Sequence, residues 1–119
     1  MTSLFICPKE EDNIFLGSSL ELFNTRVVCL DDLEETTANE YVTQALSDSK
    51  KVILELSSPS TDVGYIAHNA IQLQKTVAGV YKKGVKPDAV FFQIEADYWH
   101  LLEYSTNEEV FEFIKSIRR

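Results

Sequence analysis

Apolar residues in this chain gather in short runs, and between the runs they recur at helical spacing. Residues 3–7 (SLFIC), 26–30 (RVVCL), 51–56 (KVILEL), 76–81 (TVAGVY) and 99–104 (WHLLEY) are compact apolar segments, each bounded by charge or turn residues, which predicts five strands. The 51–56 run has no strict alternation, as expected of a strand covered on both faces in a parallel sheet. Pro8 closes the first run because it cannot donate to a ladder.

Elsewhere the period lengthens. In residues 12–23, Phe15, Leu16, Ser19, Leu20 and Phe23 share a helical face, with Gly17 inside it. Thr37-Ala38-Asn39-Glu40 has the capping-box pattern ahead of Val42, Ala45, Leu46 and Ser49. Val63, Ile66, Ala70 and Leu73 form a stripe widened by Ala67 and Ile71, leaving Tyr65, His68, Asn69 and Gln72 on the opposite face. A second capping box, Ser105-Thr106-Asn107-Glu108, precedes Val110, Phe111, Ile114 and Ile117. Residues 88–98 admit two readings: a helix with Ala89, Phe92 and Ala96 on one face, or an extended segment through DAVFFQI.

Strand and helix alternate about five times, with no repeat and no low-complexity linker. This predicts an α/β domain over 1–119 with a five-stranded parallel open sheet, flavodoxin- or Rossmann-like, in strand order 2-1-3-4-5. In such sheets ligands bind beyond the carboxyl ends of the strands, near the point where strand order reverses. That edge gathers residues 7–11, 57–65 and 82–86. The unit 51–81 is the centre of the prediction.

Composition narrows the function classes. A length of 119 residues suits one domain, and 45% hydrophobic with 25% charged residues is ordinary for a globular chain. No apolar run approaches the roughly 20 residues that span a bilayer. The start, MTSLFICPKEED, lacks a basic segment followed by a long apolar run, so a cytoplasmic location is expected. Eleven basic against nineteen acidic residues give a net charge of −8, which repels a nucleic-acid backbone. Cys7 and Cys29 lack CxxC spacing and do not combine with His68 and His100 at any metal-site spacing, so reduced thiols, no metal and no cofactor are expected.

Several side chains at the predicted edge carry chemistry. Ser60 stands where a strand gives way to a helix, so its hydroxyl can cap that helix or hold a phosphate at the free amides. Asp62 suits the positive end of the helix dipole, and Gly64 in the first turn either packs or admits a ligand close to the backbone. Glu55 is the one ionisable residue inside a predicted buried strand and therefore requires a polar partner. Lys82 and Lys83 follow the fourth strand at the same edge and, with Lys86, form the only basic patch, where a cation can meet an anion. Neither histidine has a triad partner at recognisable spacing, and Cys7 has no flanking base.

Residues 58–65 (SPSTDVGY), with 75–81, resemble the nucleoside 2-deoxyribosyltransferase family, above all its 2′-deoxynucleoside 5′-phosphate N-hydrolase branch. The closing EYSTNEEVFEFI is similar to the family's final strand and helix. The resemblance implies a flavodoxin-like sheet, a homodimer with sites shared between chains, and cleavage of the N-glycosidic bond of deoxynucleosides or their monophosphates. It makes Ser60 the phosphate-contacting serine and Gly64 the helix glycine. In that family a glutamate attacks the anomeric carbon as a carboxylate nucleophile, and Ile66 holds its place here. The glycine-rich loop after the first strand is replaced by Pro8-Lys9-Glu10-Glu11, and the aspartate before the third strand by Lys50.

Three function classes follow. One is a catalytically degenerate relative that binds a nucleoside or nucleotide-like ligand through Ser60, Asp62, Gly64 and Lys82, or that serves as a subunit. Another is an active N-glycosidase or deoxyribosyltransferase with Glu55 or Asp62 as its carboxylate. The third is an oligomerisation module built on Tyr65, His68, Asn69 and Gln72.

Overall fold

The computed structural model describes residues 2–9, 25–30, 35–58, 60–95 and 97–116. Five strands, β1 (Thr2–Cys7), β2 (Thr25–Cys29), β3 (Ser49–Glu55), β4 (Thr76–Lys82) and β5 (Trp99–Tyr104), form one sheet in the order β2-β1-β3-β4-β5. Every pairing is parallel, so sheet order and strand direction agree with the sequence expectation. Among the described residues three α-helices, α1 (Glu35–Asp48), α2 (Thr61–Gln72) and α3 (Asn107–Ser116), accompany the sheet. The helix expected over 12–23 lies outside the described residues. No helix among the described residues is long and apolar enough to cross a membrane.

The twofold period of the strands divides the interior into two cores. Leu4 and Ile6 of β1, Val52 and Leu54 of β3 and Val77 of β4 face α1 and α2, where they meet Val42, Ala45, Leu46, Val63, Ile66, Ala67 and Ala70. Phe5, Cys7, Ile53, Ala78, Val80 and Tyr104 face the other way, against Val110 and Ile114 of α3. Val52, Ile53 and Leu54 are all essentially inaccessible, which is why their run is continuous rather than alternating. Cys7 and Cys29 are register neighbours on β1 and β2, neither is in a disulfide, and the Cys7 thiol lies 3.9 Å from the Val28 carbonyl.

Several boundaries differ from the sequence reading. Helix α1 begins at Glu35, which puts Thr37 inside the helix rather than at its cap. Ser49 is the first residue of β3, not part of the helical face, and its buried hydroxyl donates back to the Ala45 carbonyl at 2.7 Å. The cap of α3 is shifted by one: Asn107 is already helical, and Glu109 rather than Glu108 reaches back, accepting from the Ser105 N–H at 3.3 Å. Leu73 leaves the stripe because α2 ends at Gln72. There the Gln74 N–H bonds the Ile71 carbonyl and the Lys75 N–H the Ala70 carbonyl, with Gln74 left-handed at φ 59°.

The described residues of 88–98 form neither a full helix nor a strand. They hold one 3₁₀ turn, Ala89–Phe92, and its buried member is Phe91, not Ala89 or Phe92 of the expected face; Ala96 of that face lies outside the described residues. Phe91 stacks on Trp99 with ring centroids 6.2 Å apart, and the Trp99 indole N–H donates to the Phe91 carbonyl at 3.2 Å. These contacts pin the segment against the first core and explain why a longer helix does not form.

Gly79 makes room for this packing. A Cβ there would lie 2.7 Å from Leu56 Cδ1 and 2.9 Å from the Trp99 ring. Gly79→Ala is therefore expected to destabilise the fold by about 1–3 kcal/mol through overpacking, measured as a lower midpoint in denaturant unfolding.

Candidate functional site

Beyond the carboxyl ends of β3 and β4 lies a pocket of about 440 Å³, within the range of small-molecule sites. One wall is the turn after β3 with the start of α2: Leu56, Ser57, Ser58, Ser60 and Val63. The other is the segment after β4: Val85, Lys86, Pro87, Asp88 and Phe91. The floor is apolar because Leu56, Val63 and Phe91 belong to the core beneath. The rim carries hydroxyls, one cation and one carboxylate.

Local geometry orients the hydroxyls. Ser60 is extended, at φ −157° and ψ 119°, and caps α2: its Oγ accepts from the Val63 N–H at 3.2 Å. Ser57 Oγ likewise accepts from the Lys82 N–H at 2.9 Å. A hydroxyl whose oxygen is engaged as acceptor still has its proton to donate. The first turn of α2, which follows Ser60, has amides with no acceptor within the helix. The pocket thus presents donors, and an acceptor-rich ligand such as a phosphate or sugar suits it. Asp88 opens the 3₁₀ turn, its Oδ1 accepting from the Val90 N–H at 3.0 Å.

The sequence-predicted residues separate into groups. Ser60 caps the helix, as foreseen, and also lines the pocket. Gly64 sits half-buried one turn along, and a Cβ there would meet nothing within 4 Å, so no contact among the described residues requires glycine. Asp62 is exposed and does not border the pocket. Lys82 is exposed too and does not border the pocket, although its backbone N–H donates to Ser57; Lys86 is the lysine on the rim.

Glu55 is fully buried on the opposite side of the sheet from the pocket floor. Its Oε1 accepts from the Ser57 N–H at 2.7 Å and its Oε2 from the Tyr104 hydroxyl at 2.5 Å. Both oxygens are engaged, as a buried carboxylate requires. Ile66, where the resemblance expects a glutamate, is buried in the core between α2 and the sheet. A carboxylate at that depth would lose its hydration at a cost of several kcal/mol. Lys50 is exposed at the start of β3, where the register with β1 shifts.

Val85, Lys86, Pro87, Asp88 and Phe91 were not foreseen as a single wall. A Pro-Asp pair is a turn signal, and it alone pointed to a chain reversal there. Nothing local told which way the turn would fold. Compared with known families and curated proteins, the chain matches neither a family model nor a curated relative.

Removing the Ser60 hydroxyl leaves the Val63 N–H uncapped. Ser60→Ala is expected to cost about 1 kcal/mol of stability, while Gly64→Ala in the open first turn is neutral or up to about 1 kcal/mol stabilising; thermal unfolding of the two variants distinguishes them.

Proposed function

We propose that this chain is a nucleoside 2-deoxyribosyltransferase-like protein that binds a nucleotide-like ligand in the pocket beside α2 and does not cleave the glycosidic bond. The observation that carries the reading is the donor-rich rim of Ser57, Ser60, Lys86 and the start of α2 over an apolar floor. A phosphate suits the hydroxyls, the helix amides and the lysine. A flat base or sugar suits the floor of Leu56, Val63 and Phe91. Asp88 on the rim favours a ligand with a hydroxyl or amino donor near its anionic end.

The non-catalytic reading is supported by the positions considered for a nucleophile. That group must reach the anomeric carbon, but Ile66 is apolar and buried, Glu55 is sealed beneath the sheet end, and Asp62 lies outside the pocket, while Asp88, the carboxylate on the rim, has Oδ1 engaged by the Val90 N–H. Calorimetric titration with deoxynucleoside monophosphates is expected to give saturable heat, with the monophosphate preferred over the nucleoside by about tenfold and the preference lost in Lys86→Ala. Neither heat nor a thermal shift at millimolar ligand would overturn the binding reading. Release of free base, followed by chromatography, would overturn the non-catalytic one.

A second reading rests on the outer face of α2. Tyr65 is 63% exposed and Leu73 51%, beside exposed His68 and Gln72 and half-buried Asn69, an apolar and polar mixture suited to a second copy of the chain. This matches the dimer that the resemblance implies. Light scattering is expected to show a dimer that Tyr65→Glu converts to monomer, and a monomeric wild type at high concentration would remove this reading.

A further inference from the structure

The buried Glu55 belongs to a closed circuit of hydrogen bonds that joins the ends of three strands. The Tyr104 hydroxyl, at the end of β5, donates to Glu55 Oε2, and the Ser57 N–H donates to Glu55 Oε1. Ser57 Oγ accepts from the Lys82 N–H at the end of β4. Lys83, the next residue, donates its N–H to the Tyr104 carbonyl at 2.8 Å, which closes the ring. From Lys82 the chain turns at once into the second pocket wall, with the Val85 N–H bonded to the Lys82 carbonyl at 3.0 Å and Gly84 at φ 91°. Ser57 itself lies in the first wall.

Two consequences come from this connectivity. The Ser57 amide is committed to Glu55, so among the groups of Ser57 the hydroxyl proton is what remains for a ligand. The carboxylate adds a second tie between the walls to the direct bond from the Leu56 N–H to the Val80 carbonyl at 2.8 Å, since Ser57 is held by Glu55 and Lys82 is held by Ser57. We infer that Glu55 is the positioning residue of the pocket: its carboxylate, braced by Tyr104, fixes Ser57 against the end of β4 and so holds the two walls at binding distance. This inference rests on the ligand-binding reading only for its consequence on affinity; the positioning itself is a property of the unliganded chain.

The test uses the full chain and two readouts. Tyr104→Phe keeps the ring shape and removes the brace, and Glu55→Gln keeps both bonds, because its amide oxygen accepts from Ser57 while its amide nitrogen donates to a phenol turned to accept. Hydrogen exchange of the unliganded protein is expected to show the Ser57 and Lys82 amides exchanging about tenfold faster in Tyr104→Phe. Exchange at Val52 in the middle of β3 should change less, and Glu55→Gln should restore near-native protection. Equal acceleration at Ser57, Lys82 and Val52 would make Glu55 an ordinary core residue and overturn the inference. So would a Tyr104→Phe variant with native exchange at the two amides. In the second readout, deoxynucleoside monophosphate binding is expected to weaken about tenfold in Tyr104→Phe and to recover in Glu55→Gln. If the wild type binds no monophosphate, the ligand reading fails, and exchange alone decides the role of Glu55.

Discussion

A strand buried on both faces has nowhere to put a polar side chain, and β3 lives under that constraint. Val52, Ile53 and Leu54 are inaccessible, with α1 and α2 on one side and α3 on the other. The residue that follows, Glu55, is equally buried and yet carries a carboxylate. A buried carboxylate without donors costs several kcal/mol, so the ends of β4 and β5 and the turn after β3 must be arranged to supply them. Tyr104 and the Ser57 amide do so, and the course of the chain at this edge follows from that requirement.

The pocket is the open side of the same arrangement. Its floor is the upper surface of the first core, and its rim combines backbone-anchored hydroxyls with Lys86 and Asp88. An acidic chain of net charge −8 repels anions at long range. On the proposed ligand-binding reading, recognition of an anionic group at this edge would depend on short, oriented donors and on Lys86. Hydroxyls held in place by accepting a backbone N–H suit that role, because little side-chain freedom is lost when a ligand arrives.

The stretch 51–81 was readable in sequence because its signals are local and strong. A continuous apolar run, a serine cap and the stripe of Val63, Ile66 and Ala70 each have one good structural solution. Signals shared between adjacent residues were less exact. Two overlapping capping patterns exist at 105–109, and the choice of Thr106 over Ser105 as the start is made by where β5 releases the chain. The segment 88–98 was ambiguous for a related reason: its aromatic residues satisfy either period, and the decision falls to Phe91, which finds Trp99 and the core. Lys82 and Lys86 look alike in sequence, but only Lys86 comes after the turn at Gly84 and borders the pocket.

By itself the sequence determined the five strands, their parallel arrangement, the order 2-1-3-4-5 and the edge where a site would form, because periodicity, burial and crossover rules act through neighbouring residues. It also put an apolar residue, Ile66, inside the stripe that α2 buries against the sheet. Only the tertiary structure decided what Glu55 and the Ser57 hydroxyl do. Those outcomes depend on residues 25 and 49 positions apart meeting at a strand end, and no local pattern encodes a contact of that separation.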